Sequence, residues 1–312
     1  MARVLLVKTS SLGDVVHNLP TASDIASKMP GVRIDWVIEE AFAAIPALHP
    51  GVGEVIPVAV RRWRSCWNSA TRREVGAFVS RLRSVHYDAI IDSQGLFKSA
   101  LVTRLARGAR YGFDWKSSRE PLFMFYHRTI RVPRAQHAVE RNRNLAAQAL
   151  AYAPPLRVDY GIVAAPAARA VRYAVLVHAT SAAAKLWPEG RWIALGETLA
   201  SKGLACVLPW GNDDERRRAE RIAEALPHAQ VPDRMRLEEI ASLLAGARCV
   251  VGLDTGLTHL AGALGVRTVG IYTATDPAAT GLFGCARAVN VGGPAVSASS
   301  DDVLRALDTL SA

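Results

Sequence analysis

The stretch R-V-L-L-V-K-T-S-S-L-G-D, from Arg3 to Asp14, decides the fold. After Arg3 comes the apolar run V-L-L-V, too short for a helix and followed by polar residues, and Arg3–Val7 reads as a strand. Gly13 permits a tight turn, and a helical pattern then occupies Asp14–Lys28 and stops near Pro30. A second strand-like stretch, Arg33–Val37, follows, with apolar Ile34, Trp36 and Val37. Strand, helix and strand at this spacing predict a parallel sheet with right-handed crossovers. Glu54–Val60 and Ala89–Ile91 read as further strands of the same sheet.

The pattern restarts after an Ala- and Pro-rich connection, Ala151–Ala170. Tyr173–His178, Ala205–Pro209, Cys249–Leu253 and Thr268–Tyr272 read as strands. Helices are expected over Arg191–Lys202 (closed by Gly203), Asp213–Ala225, Leu237–Ala245, Gly256–Leu264 and Ser300–Leu310. The expected class is therefore α/β, with two doubly wound Rossmann-like domains, 1–160 and 161–312, facing one another across a cleft. The last helix is left free to return to the first domain. In open α/β sheets ligands bind beyond the carboxyl ends of the strands, so the loops that follow the strands are where chemistry is expected.

Composition narrows the partners. Half of the 312 residues are hydrophobic, which excludes a disordered chain. The net charge of +10 is unevenly spread: Met1–Arg157 holds 23 basic and 12 acidic residues, Val158–Ala312 holds 15 and 16. The first half is expected to meet an anionic partner. Cys66, Cys206, Cys249 and Cys285 are scattered, so neither a disulfide framework nor a zinc site is expected, and a reducing cytosol fits best. No apolar run reaches the ~20 residues needed to span a bilayer, although a basic face could rest on an anionic membrane surface. No nucleic-acid recognition motif accompanies the basic residues.

Three loops draw attention. In T-S-S-L-G-D (Thr9–Asp14), Asp14 could cap the helix or act as a general base at the mouth of the cleft; Ser11 and Gly13 share that loop. No G-x-G-x-x-G is present, which argues against a dinucleotide-binding dehydrogenase. In His178–Pro188, Thr180 and Ser181 offer hydroxyls to a phosphate and Lys185 offers a compact cation. In D-T-G-L-T-H (Asp254–His259), a strand feeds a turn and a helix whose first N–H groups, at Thr255, Gly256 and Leu257, can hold a diphosphate. Asp254 would repel phosphate and suits sugar hydroxyls, while His259 could be a buried histidine of the first helical turn. Beyond Pro209-Trp210-Gly211, Glu215 is the preferred ribose-binding carboxylate over Asp213 and Asp214, although all three suit an acidic first turn. The first half contributes R-R-W-R (Arg61, Arg62 and Arg64 around Trp63), with Lys98, Arg119, His137, Arg141 and Arg143 in other polar segments. Arginine binds phosphate and carboxylate bidentately.

V-K-T-S-S-L-G-D, R-R-W-R, D-S-Q-G-L-F-K-S, K-L-W-P, L-P-W-G and D-T-G-L-T-H occur in this order between Arg3 and about Asp276. Together they resemble the ADP-heptose-using lipopolysaccharide heptosyltransferases, a GT-B glycosyltransferase family, and the first two motifs favour its type I branch. The resemblance implies inverting transfer of L-glycero-D-manno-heptose from ADP-heptose to a Kdo sugar of Kdo2-lipid A in inner-core synthesis; with no D-x-D motif and no His/Asp cluster at ligand spacing, no metal is expected, and no cofactor. It implies that Asp14 is the base and that Lys185, beside Thr180 and Ser181, holds the donor's phosphate and sugar. Glu215 would bind ribose, Met235 would lie against adenine, and Asp254, Thr255, Gly256 and His259 would form the donor box. Arg61, Arg62, Arg64, Arg119, His137 and Arg141 would face the acceptor, on the cytoplasmic face of the inner membrane. Ala182-Ala183-Ala184 departs from the polar residues often found before the lysine. A type II enzyme, acting on a heptosylated acceptor, and a nucleotide-sugar epimerase on the same fold are the alternatives.

Overall fold

A computed structural model describes residues 1–66 and 68–310. The chain divides into two compact units, Met1–Ile162 and Val163–Ala312.

The first unit contains β1 (Arg3–Val7), α1 (Leu12–Val16), α2 (Leu19–Lys28), β2 (Arg33–Glu39), α3 (Ala44–Ala47), β3 (Val52–Val58), α4 (Val60–Ser65) and α5 (Ser69–Arg83). It continues with β4 (His86–Asp92), α6 (Phe97–Leu105), β5 (Arg107–Phe113), β6 (Arg128–Ile130) and α7 (Ala138–Leu150). All neighbours in its sheet pair parallel, in the order β3-β2-β1-β4-β5-β6. The chain order reverses between β1 and β4, as in a dinucleotide-type doubly wound sheet. Val4–Val7 have no exposed surface, because helices cover both faces of a parallel sheet.

Two expectations change here. The helix expected over Asp14–Lys28 is broken at His17–Asn18. Pro20 has no N–H to donate and its ring collides with the carbonyl of residue 16, so one continuous helix is excluded. The strand expected to reach Val60 stops at Val58, and R-R-W-R lies on the short helix α4. A buried bidentate pair joins α2 to α7: Arg143 Nε and Nη2 donate to Asp24 at 2.7 and 3.1 Å. The same guanidinium donates to the carbonyls of Pro155 and Arg157, fixing the start of the connection. Arg143 is thus committed to the fold.

The second unit contains β7 (Tyr173–Val177), α8 (Glu189–Ser201), β8 (Ala205–Val207), α9 (Asp213–Glu224), α10 (Leu237–Ala245) and β9 (Cys249–Leu253). After these come α11 (Gly256–Ala263), β10 (Thr268–Tyr272), α12 (Pro277–Thr280), β11 (Ala288–Gly292) and α13 (Ser300–Thr309). Its parallel sheet runs β11-β10-β9-β7-β8, the flavodoxin-like order, with the reversal between β7 and β9. Val303 and Leu307 of α13 belong to this unit's core, beside Trp187 and Trp192, whose rings meet edge to face at 5.0 Å. Gly252 in β9 has a packing reason: a Cβ there would meet Thr258 Oγ1 at 2.1 Å and Val177 Cβ at 2.9 Å. Its bare backbone lets α11 settle directly on the sheet.

Candidate active site

Each reversal of strand order opens a crevice at the carboxyl edge of its sheet, and several, though not all, of the sequence-predicted residues lie in the loops that follow the strands beside it. In the first unit, Asp14 lies in the loop and helix after β1. Ser11 is the N-cap of α1, and Asp14 is the third helical residue: Asp14 Oδ2 accepts from Ser11 N at 2.8 Å and Ser11 Oγ at 2.9 Å. Asp14 therefore closes a capping box and is not itself the cap. Among the described residues, its other oxygen, Oδ1, has no hydrogen-bond partner, and the residue is half-buried.

The loop after β4 braces this turn. Gln94 Oε1 accepts from Thr9 N at 3.0 Å and Ser10 N at 3.1 Å, and Lys98 Nζ donates to Ser10 Oγ at 2.7 Å. Asp92, fully buried, holds that loop by accepting from Gln94 N, Gly95 N, Ser99 Oγ and Tyr126 Oη. Burial pushes its carboxyl up, against those four bonds. Tyr126 reaches it because Gly112 has no side chain; a Cβ would stand 2.4 Å from the phenol ring. Lys8, also buried, donates to Ser93 O at 2.8 Å. Burial lowers its ammonium, with Asp14 and Asp92 pulling the other way and Arg141 and Arg119 adding to the lowering. The charges of Asp14, Lys8, Arg119 and Arg141 thus share one neighbourhood. Arg141 donates to Ser117 O at 2.7 Å and lies over Phe113, and His137 caps α7 through Nδ1, which accepts from Val139 N.

The R-R-W-R arginines stand apart, beyond edge strand β3. Arg61 lies over the Phe42 ring at 5.6 Å. Arg62 is engaged by Glu40 and Glu74, whose bonds raise it further, and Trp63 Nε1 donates to Glu74 at 2.9 Å. Arg64 is exposed.

In the second unit three loops lie side by side, after β8, β7 and β9, in the order of the strands. Asp254 is the hub. Its Oδ2 accepts from Lys185 Nζ at 2.6 Å and Thr275 Oγ1 at 2.7 Å, and its Oδ1 lies 3.3 Å from His259 Nε2. Burial pushes this carboxyl up, but the bonds from His259, Lys185 and Thr275 outweigh it and hold the group well below the usual carboxylate range. Thr255 is the extended N-cap of α11, and the N–H groups of Gly256 and Leu257 head the helix without intrahelical partners. Thr180 is half-buried and Ser181 exposed in the loop that carries Lys185, and that loop's Ala184 carbonyl accepts from Thr273 Oγ1. After β8, Glu215 Oε2 accepts from Gly211 N at 2.7 Å, while Asn212 caps α9. Trp210 Nε1 donates to Pro232 O at 2.7 Å and so draws in the segment bearing half-buried Met235.

Sequence reading missed Thr275, Lys8 and Asp92. Each follows or ends a strand, which is the signal that could have found them. Among the described residues, no group of three or more His, Cys, Asp or Glu is arranged to hold a metal ion, and no helix is long and apolar enough to cross a membrane.

A family model, glycosyltransferase family 9 (heptosyltransferase), matches residues 75–301. Lipopolysaccharide heptosyltransferase 1 of Escherichia coli K12 is 48% identical over 290 residues, 90% of this chain and 91% of that protein. The Pseudomonas aeruginosa protein of the same name is 49% identical over 289 residues, 90% of this chain and 81% of its own length. Among solved structures, E. coli heptosyltransferase WaaC with ADP superposes with a TM-score of 0.92 at 42% identity, covering 99% of both chains.

Proposed function

The chain belongs to the heptosyltransferases of glycosyltransferase family 9, and from that premise we propose its substrates and the work of each residue. It is a GT-B glycosyltransferase, and it transfers heptose in lipopolysaccharide inner-core synthesis with an ADP-heptose donor. The acceptor in our reading is a Kdo sugar of Kdo2-lipid A, reached at the cytoplasmic face of the inner membrane.

In the step we propose, an acceptor hydroxyl oxygen attacks the anomeric carbon of the heptose. The bond from that carbon to the β-phosphate oxygen breaks, ADP leaves with the electron pair, and the hydroxyl proton passes to Asp14. A single displacement inverts the anomeric centre. Base catalysis of this kind contributes ~10²–10⁴ in rate. Charge developing on the diphosphate meets the Lys185 ammonium, the Thr180 and Ser181 hydroxyls and the N–H groups at the head of α11, fixed donors that need no reorganisation. Glu215 accepts from ribose hydroxyls and Met235 lies against the adenine. Lys98, Arg119, His137 and Arg141, with Ser11 and Gly13, receive the acceptor's phosphates and carboxylates, and Arg61, Arg62 and Arg64 extend that field.

The observation that carries this reading is the split of the chemistry. Asp14 shares its neighbourhood with Lys8, Arg119 and Arg141 in one unit, while Lys185, Asp254 and the α11 N-terminus lie together in the other. Asp14→Asn tests it, because the amide oxygen still accepts from Ser11. The variant is expected to bind ADP-heptose with unchanged affinity and to lose ~10²–10⁴ in turnover; turnover within tenfold of wild type removes Asp14 from the role. Product formed from heptose-free Kdo2-lipid A, read by mass analysis of the lipid, separates the type I reading from type II.

A further inference from the structure

Ten large apolar side chains are exposed among the described residues, and five of them fall between residues 97 and 124 of the first unit. Phe97 is 55% exposed, Leu101 45%, Trp115 65%, Phe123 53% and Met124 70%. Phe97 and Leu101 lie on α6, Phe123 and Met124 on the 3-10 turn packed beside it, and Trp115 in the loop between β5 and that turn. Phe97, Leu101 and Arg104 recur at i, i+4 and i+7 and so share one face of α6, while Ala100, Val102 and Thr103 turn inward. Phe97 meets Phe125 edge to face at 5.5 Å, and its N–H donates to Glu120 at 2.6 Å. Ser118 Oγ donates to Gly95 O, joining the loop after β5 to the loop before α6. Behind the patch, Ala100, Leu122 and Tyr126 form a small core of their own.

The charge around it has one sign. Residues 97–134 hold nine Lys or Arg and two acids, Asp114 and Glu120. Both acids are turned to backbone N–H groups, of Ser117 and Phe97. Lys116 lies over the Trp115 ring at 5.0 Å. Large exposed apolar patches mark interaction sites. Aromatic rings interleaved with Lys and Arg suit the headgroup layer of an anionic bilayer, where rings enter the acyl boundary and cations meet phosphate. A second copy of the same surface would set like charges against each other.

We infer that the face formed by Phe97, Leu101, Trp115, Phe123 and Met124, with Arg104 and Lys116, docks the protein on an anionic lipid bilayer. This rests on the lipid-borne acceptor proposed above. It adds a reason for the patch's position: Lys98, one residue from Phe97, bonds to Ser10 in the loop that leads to Asp14. A glycolipid leaving the bilayer at this face is handed directly to the acceptor groups.

The test uses the full chain in flotation with vesicles of phosphatidylethanolamine and phosphatidylglycerol, and with vesicles of phosphatidylcholine. The wild type should float with the anionic vesicles only. The triple variant Trp115→Ser, Phe123→Ser, Met124→Ser should lose at least ~10-fold in partitioning, and Arg104→Ser with Lys116→Ser about fivefold per charge. Thermal melts confirm that the variants fold. Turnover with a deacylated, water-soluble Kdo acceptor should stay at the wild-type level in every variant. Undiminished flotation of the triple variant overturns the proposed face, as does an equal loss of turnover on the soluble acceptor, which would make the patch part of the sugar site. A dimer abolished by the triple variant, seen by sedimentation without vesicles, also overturns it. If wild type fails to float while transfer to the soluble acceptor proceeds, membrane docking is refuted and heptosyl transfer stands.

Discussion

Lys185→Met tests the hub of the proposed donor site on two separate readouts. The Lys185 ammonium is 2.6 Å from Asp254 Oδ2, with the lysine side chain 27% exposed and the aspartate 8%. A charged hydrogen bond in such a setting contributes ~1.5–3 kcal/mol. Thr275 and His259 still face the carboxylate after the change, so the loss should stop near ~2 kcal/mol and not reach the ~3–5 kcal/mol of a bare buried charge. For a unit of this size that lowers the melting temperature by about 4–8 °C. Asp254→Asn should cost a similar amount, and the double variant should be less destabilised than the two singles summed, with ~1.5–3 kcal/mol of coupling. The Asp254 carboxyl is held low, so its contribution is complete above its ordinary value and fades only as pH falls toward the depressed one. Coupling measured by urea unfolding should therefore be equal at about pH 7 and pH 5. Turnover should fall ~10²–10³ in Lys185→Met and stay down in the double variant, since the leaving diphosphate has lost its cation in both. Strictly additive stability losses would refute the ion pair. Turnover within tenfold of wild type would refute the role of the lysine.

Other outcomes follow from named contacts. His178, fully buried at the end of β7, is pushed down to about 4 by burial, with Arg218 acting in the same direction. Its neutral form is favoured in the folded state, so its contribution is whole above about 6.5 and is lost as pH falls toward 4. At about pH 5 that amounts to ~2 kcal/mol, and urea midpoints of His178→Leu should fall less between pH 7 and 5 than those of the wild type. Gly252→Ala should lose ~1–3 kcal/mol from overpacking and weaken ADP binding measured by calorimetry, because Thr258 must yield at the base of α11. Arg61→Ala with Arg64→Ala should raise the acceptor KM without moving ADP affinity. Arg62→Ala should raise it less, because Glu40 and Glu74 already hold that guanidinium.

Apolar runs told most of the second sheet: Cys249–Leu253 and Thr268–Tyr272 are strands over the residues that periodicity assigns to them. The same signal fails for β5 and β6. R-G-A-R-Y-G-F and R-T-I carry arginines and, in β5, two glycines, and most of their residues keep some exposure, so neither reads as an apolar run. The segment Asp14–Lys28 reads as one continuous helix because its apolar spacing survives the break; only Pro20 betrays it. For the site, the loops were legible and the pairings were not. Lys185 and Asp254 are 69 residues apart, and no local pattern says that one will neutralise the other. Lys8 and Asp92 look like ordinary loop charges until the sheet closes over them. Arg143 shows the opposite error, since a basic residue of the half expected to meet an anion is spent on Asp24.

Every strand of each sheet points the same way, and this separates two kinds of evolutionary change. Turns at the amino edge can drift only within what folding tolerates, whereas the exposed parts of the segments after β3 and β5 can be lengthened or exchanged while β7, β9 and the loops that follow them stay as they are. On the proposed division of roles, a library confined to those two segments changes how the lipid-borne acceptor is met and leaves the use of the sugar donor untouched.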